Sequence, residues 1–187
     1  MRAKHIILAV LIACGTAPHA RAAGAPAAVE QSAASEDELR AAFLLNFARF
    51  VTWPAERPDD PTPLVFAVAG DATFAATLER VVRGQTVRGR PLAVVALKGT
   101  MPPSPVHLLY IASARDRRVG DWLVDAAQAT VLTVSGATDF CRQGGMIRMY
   151  SESQRMRFEI NLPLLQRSGL RASSRLLALS RPAGGGP

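Results

Sequence analysis

Histidine and cysteine are almost missing from this chain, and their scarcity removes several kinds of chemistry. Among 187 residues there are three histidines and two cysteines. His5, His19 and Cys14 belong to the amino-terminal segment, which leaves His107 and Cys141 for the body. One imidazole and one thiol give no ligand set at zinc or redox-metal spacing. With Cys14 gone, a single cysteine also excludes an intrachain disulfide. Aromatics make up only 6% of the chain, and Lys98 is the only lysine beyond Lys4. A nucleic-acid binder needs a concentrated basic face with stacking or base-reading groups, and that pattern is absent. No G-x-S-x-G elbow surrounds any serine. Gly144-Gly145 lacks the spacing of a phosphate loop, so no cofactor is expected. Its simpler explanation is a bulge, or an approach too close for a Cβ. No apolar run nears the roughly 20 residues that span a bilayer.

What the chain does have begins with a leader. Met1–His5 is basic, Ile6–Ala13 is apolar, and Ala23-Gly24-Ala25 offers a small-x-small cleavage site. Residues 1–25 therefore read as an export signal. A second reading stays open, because Leu11-Ile12-Ala13-Cys14 resembles a lipobox whose cysteine would carry a lipid anchor. The ordinary leader is favoured. The formal charge is +7, but Arg2, Lys4 and Arg21 lie in the leader. The remainder holds 19 basic and 15 acidic side chains, or +4, which suits solubility and weak attraction to acidic surfaces. In an oxidising compartment a lone Cys141 is either buried or paired between chains, and burial is favoured.

Length and a hydrophobic content of 49% fit one domain with a real core. Residues 26–35 read as a flexible lead-in, followed by a Ser35 cap and Glu36-Asp37-Glu38 in a first helical turn. Leu39, Ala42, Phe43, Phe47 and Phe50 or Val51 recur at helical spacing. Trp53-Pro54 ends that helix, since proline disfavours a helical residue before it. Apolar strands at 64–69, 90–97, 107–112 and 131–134 then alternate with helices at 74–82 and 119–127. Such runs predict a mainly parallel sheet covered on both faces. Met146–Tyr150 and Met156–Ile160 flank a polar SESQR connection, a hairpin signal. Helices at 162–168 and from Ser173 follow, and residues 181–187 read as a disordered tail. The fold class is thus α/β, a single compact domain with a mainly parallel central sheet flanked by helices and a carboxyl-terminal hairpin and helix.

Arginine supplies the clearest surface signal. If Arg148 and Arg157 face outward across the hairpin with Arg175 nearby, they form a basic patch for a protein partner, an anionic lipid or an acidic ligand. Ordinary strand solubility is the plain alternative. Phe43, Phe47, Phe50 and Trp53 either close the core or sit in an interface. His107 opens an apolar strand and reads as structural. Ser135-Gly136 reads as a turn. Asp59-Asp60 reads as a solvated pair.

Two segments carry a family resemblance. AAFLLNFARFVTWP, from Ala41 to Pro54, resembles the amino-terminal signature of the YfiR-like family of exported bacterial proteins. FCRQGGMIRMY and MRFEINLPLLQRSGLRASSRLLAL resemble its closing signature, and the likeness covers about residues 36–180. The resemblance implies a periplasmic regulator without catalytic activity. It implies a repressor that binds the periplasmic sensor domain of an inner-membrane diguanylate cyclase, restraining cyclic di-GMP synthesis and biofilm formation. It also implies a homodimer, and a partner or ligand surface that includes Arg148, Arg157, Glu159 and Arg175. Relatives are associated with redox-sensitive disulfides, but here only an intermolecular bridge through Cys141 remains open. The rival reading is a periplasmic ligand-binding module serving a sensor kinase or transporter. A crevice at the carboxyl ends of the strands would favour it. An enzyme would require His107, Cys141 or acids to converge.

Overall fold

A computed structural model describes residues 25–54, 60–99, 105–113 and 118–183, with side chains from Glu36 onward. The leader up to residue 24, Cys14, Asp59 and residues 184–187 lie outside the described residues. Helix α1 spans Ala25–Phe50, so it starts well before Glu38, and residues 26–35 are helical where a lead-in without regular structure was expected. Alanine has the highest helix propensity, and this segment is rich in it. Ser35 is therefore interior to the helix. Glu36 and Asp37 hold Arg40, and Glu38 bonds Arg80 at 2.6 Å. The buried stripe is also rotated from the expected one. Ala41, Leu44, Leu45, Phe47 and Ala48 are buried, whereas Leu39 is 45% exposed.

Beyond α1 the chain forms β1 (Val51–Thr52), β2 (Leu64–Ala69), α2 (Ala72–Val82), β3 (Thr86–Val87) and β4 (Arg90–Leu97). Then come β5 (Leu108–Ile111), α3 (Val119–Gln128), β6 (Leu132–Ser135), β7 (Ile147–Glu152) and β8 (Arg155–Ile160). The chain closes with α4 (Leu162–Arg167), β9 (Arg171–Ala172), α5 (Ser174–Leu179) and β10 (Arg181–Pro182). Asp71 caps α2 by accepting the Phe74 N–H at 2.8 Å, and Ser173 caps α5 through Leu176 N. The β7–β8 turn is tighter than SESQR suggests. Only Ser153 and Gln154 turn, both with positive φ, as a two-residue hairpin of the primed type requires. Arg181 and Pro182, expected in a tail, pair in parallel with Glu159 and Ile160.

The main sheet runs β10-β8-β7-β6-β5-β2-β4-β3, and β1 pairs separately with β9. Its centre, β7-β6-β5-β2-β4, is parallel, as the apolar strands predict. Alternation along each strand separates two cores. Phe66, Val68, Leu108, Tyr110 and Val134 face one cluster with α1 and α2. Ala67, Ala69, Leu109 and Ile111 face another with Trp122 of α3. At Gly145 an added Cβ would stand 2.2 Å from the Phe140 ring. That close approach explains the second glycine of the pair, while Gly144 has φ of 98°. Gly145→Ala is expected to cost about 1–3 kcal/mol through overpacking, read as a lower denaturant midpoint. An unchanged midpoint would show that Phe140 is not fixed there.

Candidate functional site

The hairpin has one apolar face and one charged face. Ile147, Met149, Phe158 and Ile160 are buried, and Phe158 meets the rings of Phe47 at 5.1 Å and Phe43 at 6.2 Å. The register pairs Arg148 with Glu159, Tyr150 with Arg157 and Glu152 with Arg155, so these six share the other face. Arg148 lies 3.6 Å from Glu159, and its guanidinium lies over the Tyr150 ring at 4.8 Å. Glu152 receives two bonds of 2.8 Å from Arg181 and lies 3.8 Å from Arg157. The surface is an ion-paired ladder, with four arginines against two glutamates. It differs from the expected patch in two ways. Its arginines are interleaved with acids, and Arg175 is not part of it. Arg175 is exposed on α5, whose Leu176 enters the cluster behind Met149 and Phe158, on the opposite side of the hairpin. Arg148 is the least solvated of its arginines, and its Nε is buried without a hydrogen-bond partner among the described residues.

The aromatic candidates take core positions. Phe47 and Trp53 are buried, and Phe43 and Phe50 pack against the same cluster. Trp53 Nε1 donates to the His107 carbonyl at 3.1 Å. The His107 ring accepts the Val65 N–H at Nδ1 and faces Arg90 through Nε2 at 3.2 Å. Arg90 is itself buried and donates to Thr62 O at 2.8 Å, with Asp60 3.9 Å away. Asp60 is thus part of a fixed network at the amino ends of the strands. Its carboxylate also accepts the Thr62 N–H at 2.9 Å. Ser135 Oγ donates to Ile111 O and accepts the Ala137 N–H, a structural role.

Cys141 is buried in the loop between β6 and β7. Its thiol donates weakly to Met146 O at 3.8 Å and Glu159 O at 3.9 Å. Burial, with a smaller contribution from the Glu159 charge, pushes its pKa up to about 12 from 9.0. The thiol is therefore protonated and enclosed, and a bridge to another chain would require the loop to open. His107 sits in the Arg90–Trp53 network and Cys141 in the Asn161–Glu159 one, so the two do not form a thiol–imidazole pair. Among the described residues no group of three or more His, Cys, Asp or Glu could hold a metal ion.

A second feature is a crevice of the kind that would favour the ligand-module reading, although its lining residues escaped the sequence reading. The carboxyl ends of β2, β5, β6 and β7 open into a crevice of about 690 Å³, lined by Glu36, Arg40, Asp71, Tyr110, Tyr150 and Ser151 among others. β7 runs past the end of β6, since Ser135 already pairs with Arg148, and its overhang makes one wall. Tyr110 sits at the floor, 4% exposed, its ring packed on Phe74 at 4.7 Å. Burial raises the Tyr110 pKa to about 12, with acidic Asp37, Asp71 and Glu36 adding to the rise and Arg40 opposing it. The hydroxyl stays a neutral donor. In the sequence Tyr110 looks like one more apolar strand residue. Only the spatial ends of strands far apart in the chain reveal the crevice.

A model of the family described as YfiR/HmsC-like matches residues 37–181. The chain belongs to that family. No curated protein matches the chain. YfiR/HmsC-like proteins are non-catalytic regulators. No helix among the described residues is long and apolar enough to cross a membrane.

Three outcomes are expected. Glu159→Ala strips Arg148 of its counter-charge in a half-buried setting and should cost about 1–3 kcal/mol, measured by denaturant unfolding. Cys141 should resist thiol reagents in the folded protein and react fully once unfolded. The unfolded thiol ionises near the ordinary 9.0 and the folded one near 12, so stability should fall as pH rises through that interval. Rapid labelling of the folded protein would show an open loop.

Proposed function

We propose that this chain is a periplasmic regulator, working as a homodimer, that inhibits a membrane-bound diguanylate cyclase by binding its periplasmic sensor domain. Family membership supports the regulatory class, and the export-type leader supports the compartment. The single structural observation that carries the binding surface is the open ladder of Arg148, Arg157, Glu159 and their neighbours. Its arginines exceed the glutamates, Arg157 is 45% exposed, and its opposite face is locked to α1. Such a face presents fixed guanidinium groups to carboxylates of a partner, where bidentate geometry gives specificity and charge speeds encounter. Inhibition is reversible binding. A signal that favours the unbound form lowers the inhibited fraction by mass action. Lipid anchorage through Cys14 would confine the inhibitor to the membrane surface, and intact mass of the mature protein tests for it.

A second reading has its own support. The crevice at the carboxyl ends of the parallel strands lies where open α/β sheets bind ligands, and the Tyr110 hydroxyl at its floor is a neutral donor suited to a small polar molecule. Tyr150 belongs to both the crevice wall and the ladder. A ligand there would feed a sensor kinase or transporter in the accessory-module reading, or serve as the releasing signal in the first.

The deciding experiment is co-purification of the exported protein with detergent-solubilised inner-membrane cyclases, alongside cyclic di-GMP measurement in a deletion strain. Exposed Arg157→Glu should leave folding intact, weaken capture by about tenfold or more and raise cyclic di-GMP towards the deletion level. Cyclic di-GMP indifferent to the deletion under every envelope stress would remove the cyclase assignment. Tyr110→Phe should abolish the thermal stabilisation that a screen of small polar metabolites finds with the unaltered protein. Stabilisation that survives the change would place the ligand elsewhere.

A further inference from the structure

The sheet has two ends, and they are guarded differently. At one end β10 is two residues long, with an arginine and a proline. Short, charged or proline-bearing edges resist pairing with another chain. At the other end β3 covers only the start of β4, pairing Val87 with Arg90 and Thr86 with Pro91. From Leu92 to Leu97 the outer edge of β4 has no strand partner among the described residues. The sequence there is LAVVAL, without charge, proline or glycine. At about 3.3 Å per residue the free run is about 20 Å long. Its side chains are half-buried, with Ala96 exposed.

The direction of the free groups follows from the turn. Arg88 and Gly89 have φ of 51° and 80°, a two-residue turn whose flanking pair, Val87 and Arg90, exchanges hydrogen bonds. Arg90 therefore points its backbone groups away from β2. Alternation sends the N–H and C=O groups of Leu92, Val94 and Ala96 the same way, while Ala93, Val95 and Leu97 bond to β2. Among the described residues no strand claims the outward set, in a stretch that is otherwise apolar.

Both sides of β4 are apolar. Leu92 and Val94 pack on the cluster with α1 and α2, and Val95 and Leu97 on the cluster with α3. An added strand must be apolar on both faces to continue those layers, and β4 of another copy has that character. We propose that β4 pairs antiparallel with β4 of a second copy across a two-fold axis, joining two sheets into one. The proposal rests on the homodimer reading above and names its interface. The axis stands perpendicular to the sheet and keeps every residue on its own face, so residues of equal parity must pair. Centring on Val94 drives the second copy into Thr86 beside Pro91. Centring on Val95 clears β3. It sets Val94 against Ala96 of the second copy and Leu92 against Lys98 of the second copy, which keeps Lys98 away from Arg90.

The test is the solution mass of the leaderless protein by light scattering over a dilution series, with amide exchange at Val94 and Ala96. Ala96→Pro deletes an N–H that the chain itself does not use, and prolines of that kind are tolerated at edges. Ala96→Lys keeps the N–H and adds a charge to the free edge, so it decides the matter if the proline variant fails to fold. The unaltered protein should be a dimer with slow exchange at both amides. Each folded variant should raise the dimer dissociation constant by about a hundredfold or more. Dimers unaffected by Ala96→Lys would overturn this interface and leave the homodimer reading standing. A monomeric unaltered protein would overturn both. Slow exchange at Val94 and Ala96 in a monomer would mean that the chain covers its own edge, and would also overturn it.

Discussion

The packing of Phe47 against Phe158 is the contact on which the rest depends. It fastens the first helix of the domain to its last long strand. The two rings stand edge to face at 5.1 Å, with Phe43 completing the group. This geometry suits the ring quadrupoles and adds to the apolar area removed from water. Strand alternation does the remainder. Once Phe158 and Met149 turn toward α1, Arg148, Arg157 and Glu159 must turn away. Burial of one face therefore dictates exposure of the other, and the ladder needs no separate cause.

Much of this architecture was readable from residue order. Apolar strands of four to eight residues between amphipathic helices give a covered parallel sheet, and the hairpin stood out through its alternation. Two misreadings have physical reasons. The alanine-rich run before Glu38 has no apolar stripe, but helix propensity does not need one. Arg181 and Pro182 look like a tail because a two-residue strand has no pattern of its own and exists only where β8 offers an edge. The site was partly legible. Arg148, Arg157 and Glu159 follow from alternation along one hairpin. Arg175 does not, because its side of the sheet is set by where α5 docks. The crevice was invisible, since Asp71, Tyr110 and Tyr150 meet only after the strands are ordered.

Electrostatics and shape divide the labour between two neighbouring surfaces. On the ladder, charges are held in place by one another. Arg148 has Glu159 on one side and the Tyr150 ring on the other, so its side chain loses little further entropy on binding a partner. In the crevice shape counts for more, with Glu36 held on Arg40 and Asp71 on the Phe74 N–H. Acidic Glu36 and Asp71 border the neutral phenol of Tyr110 at its floor. Tyr150 joins the two surfaces, which gives a short mechanical path between whatever fills one and whatever docks on the other.

The small sheet of β1 and β9 has a consequence for the order of events in the life of the chain. Val51 and Thr52 find their partners only at Ala172 and Arg171, and Leu170 and Leu176 share a cluster with Leu44 and Phe47. Part of the apolar stripe of the first helix is thus covered only by nearly the last residues. Contacts so distant along the chain close slowly, and a growing polypeptide cannot make them until its end has been synthesised. A chain that stays open until complete is the form a translocation channel can thread, which suits the export proposed above.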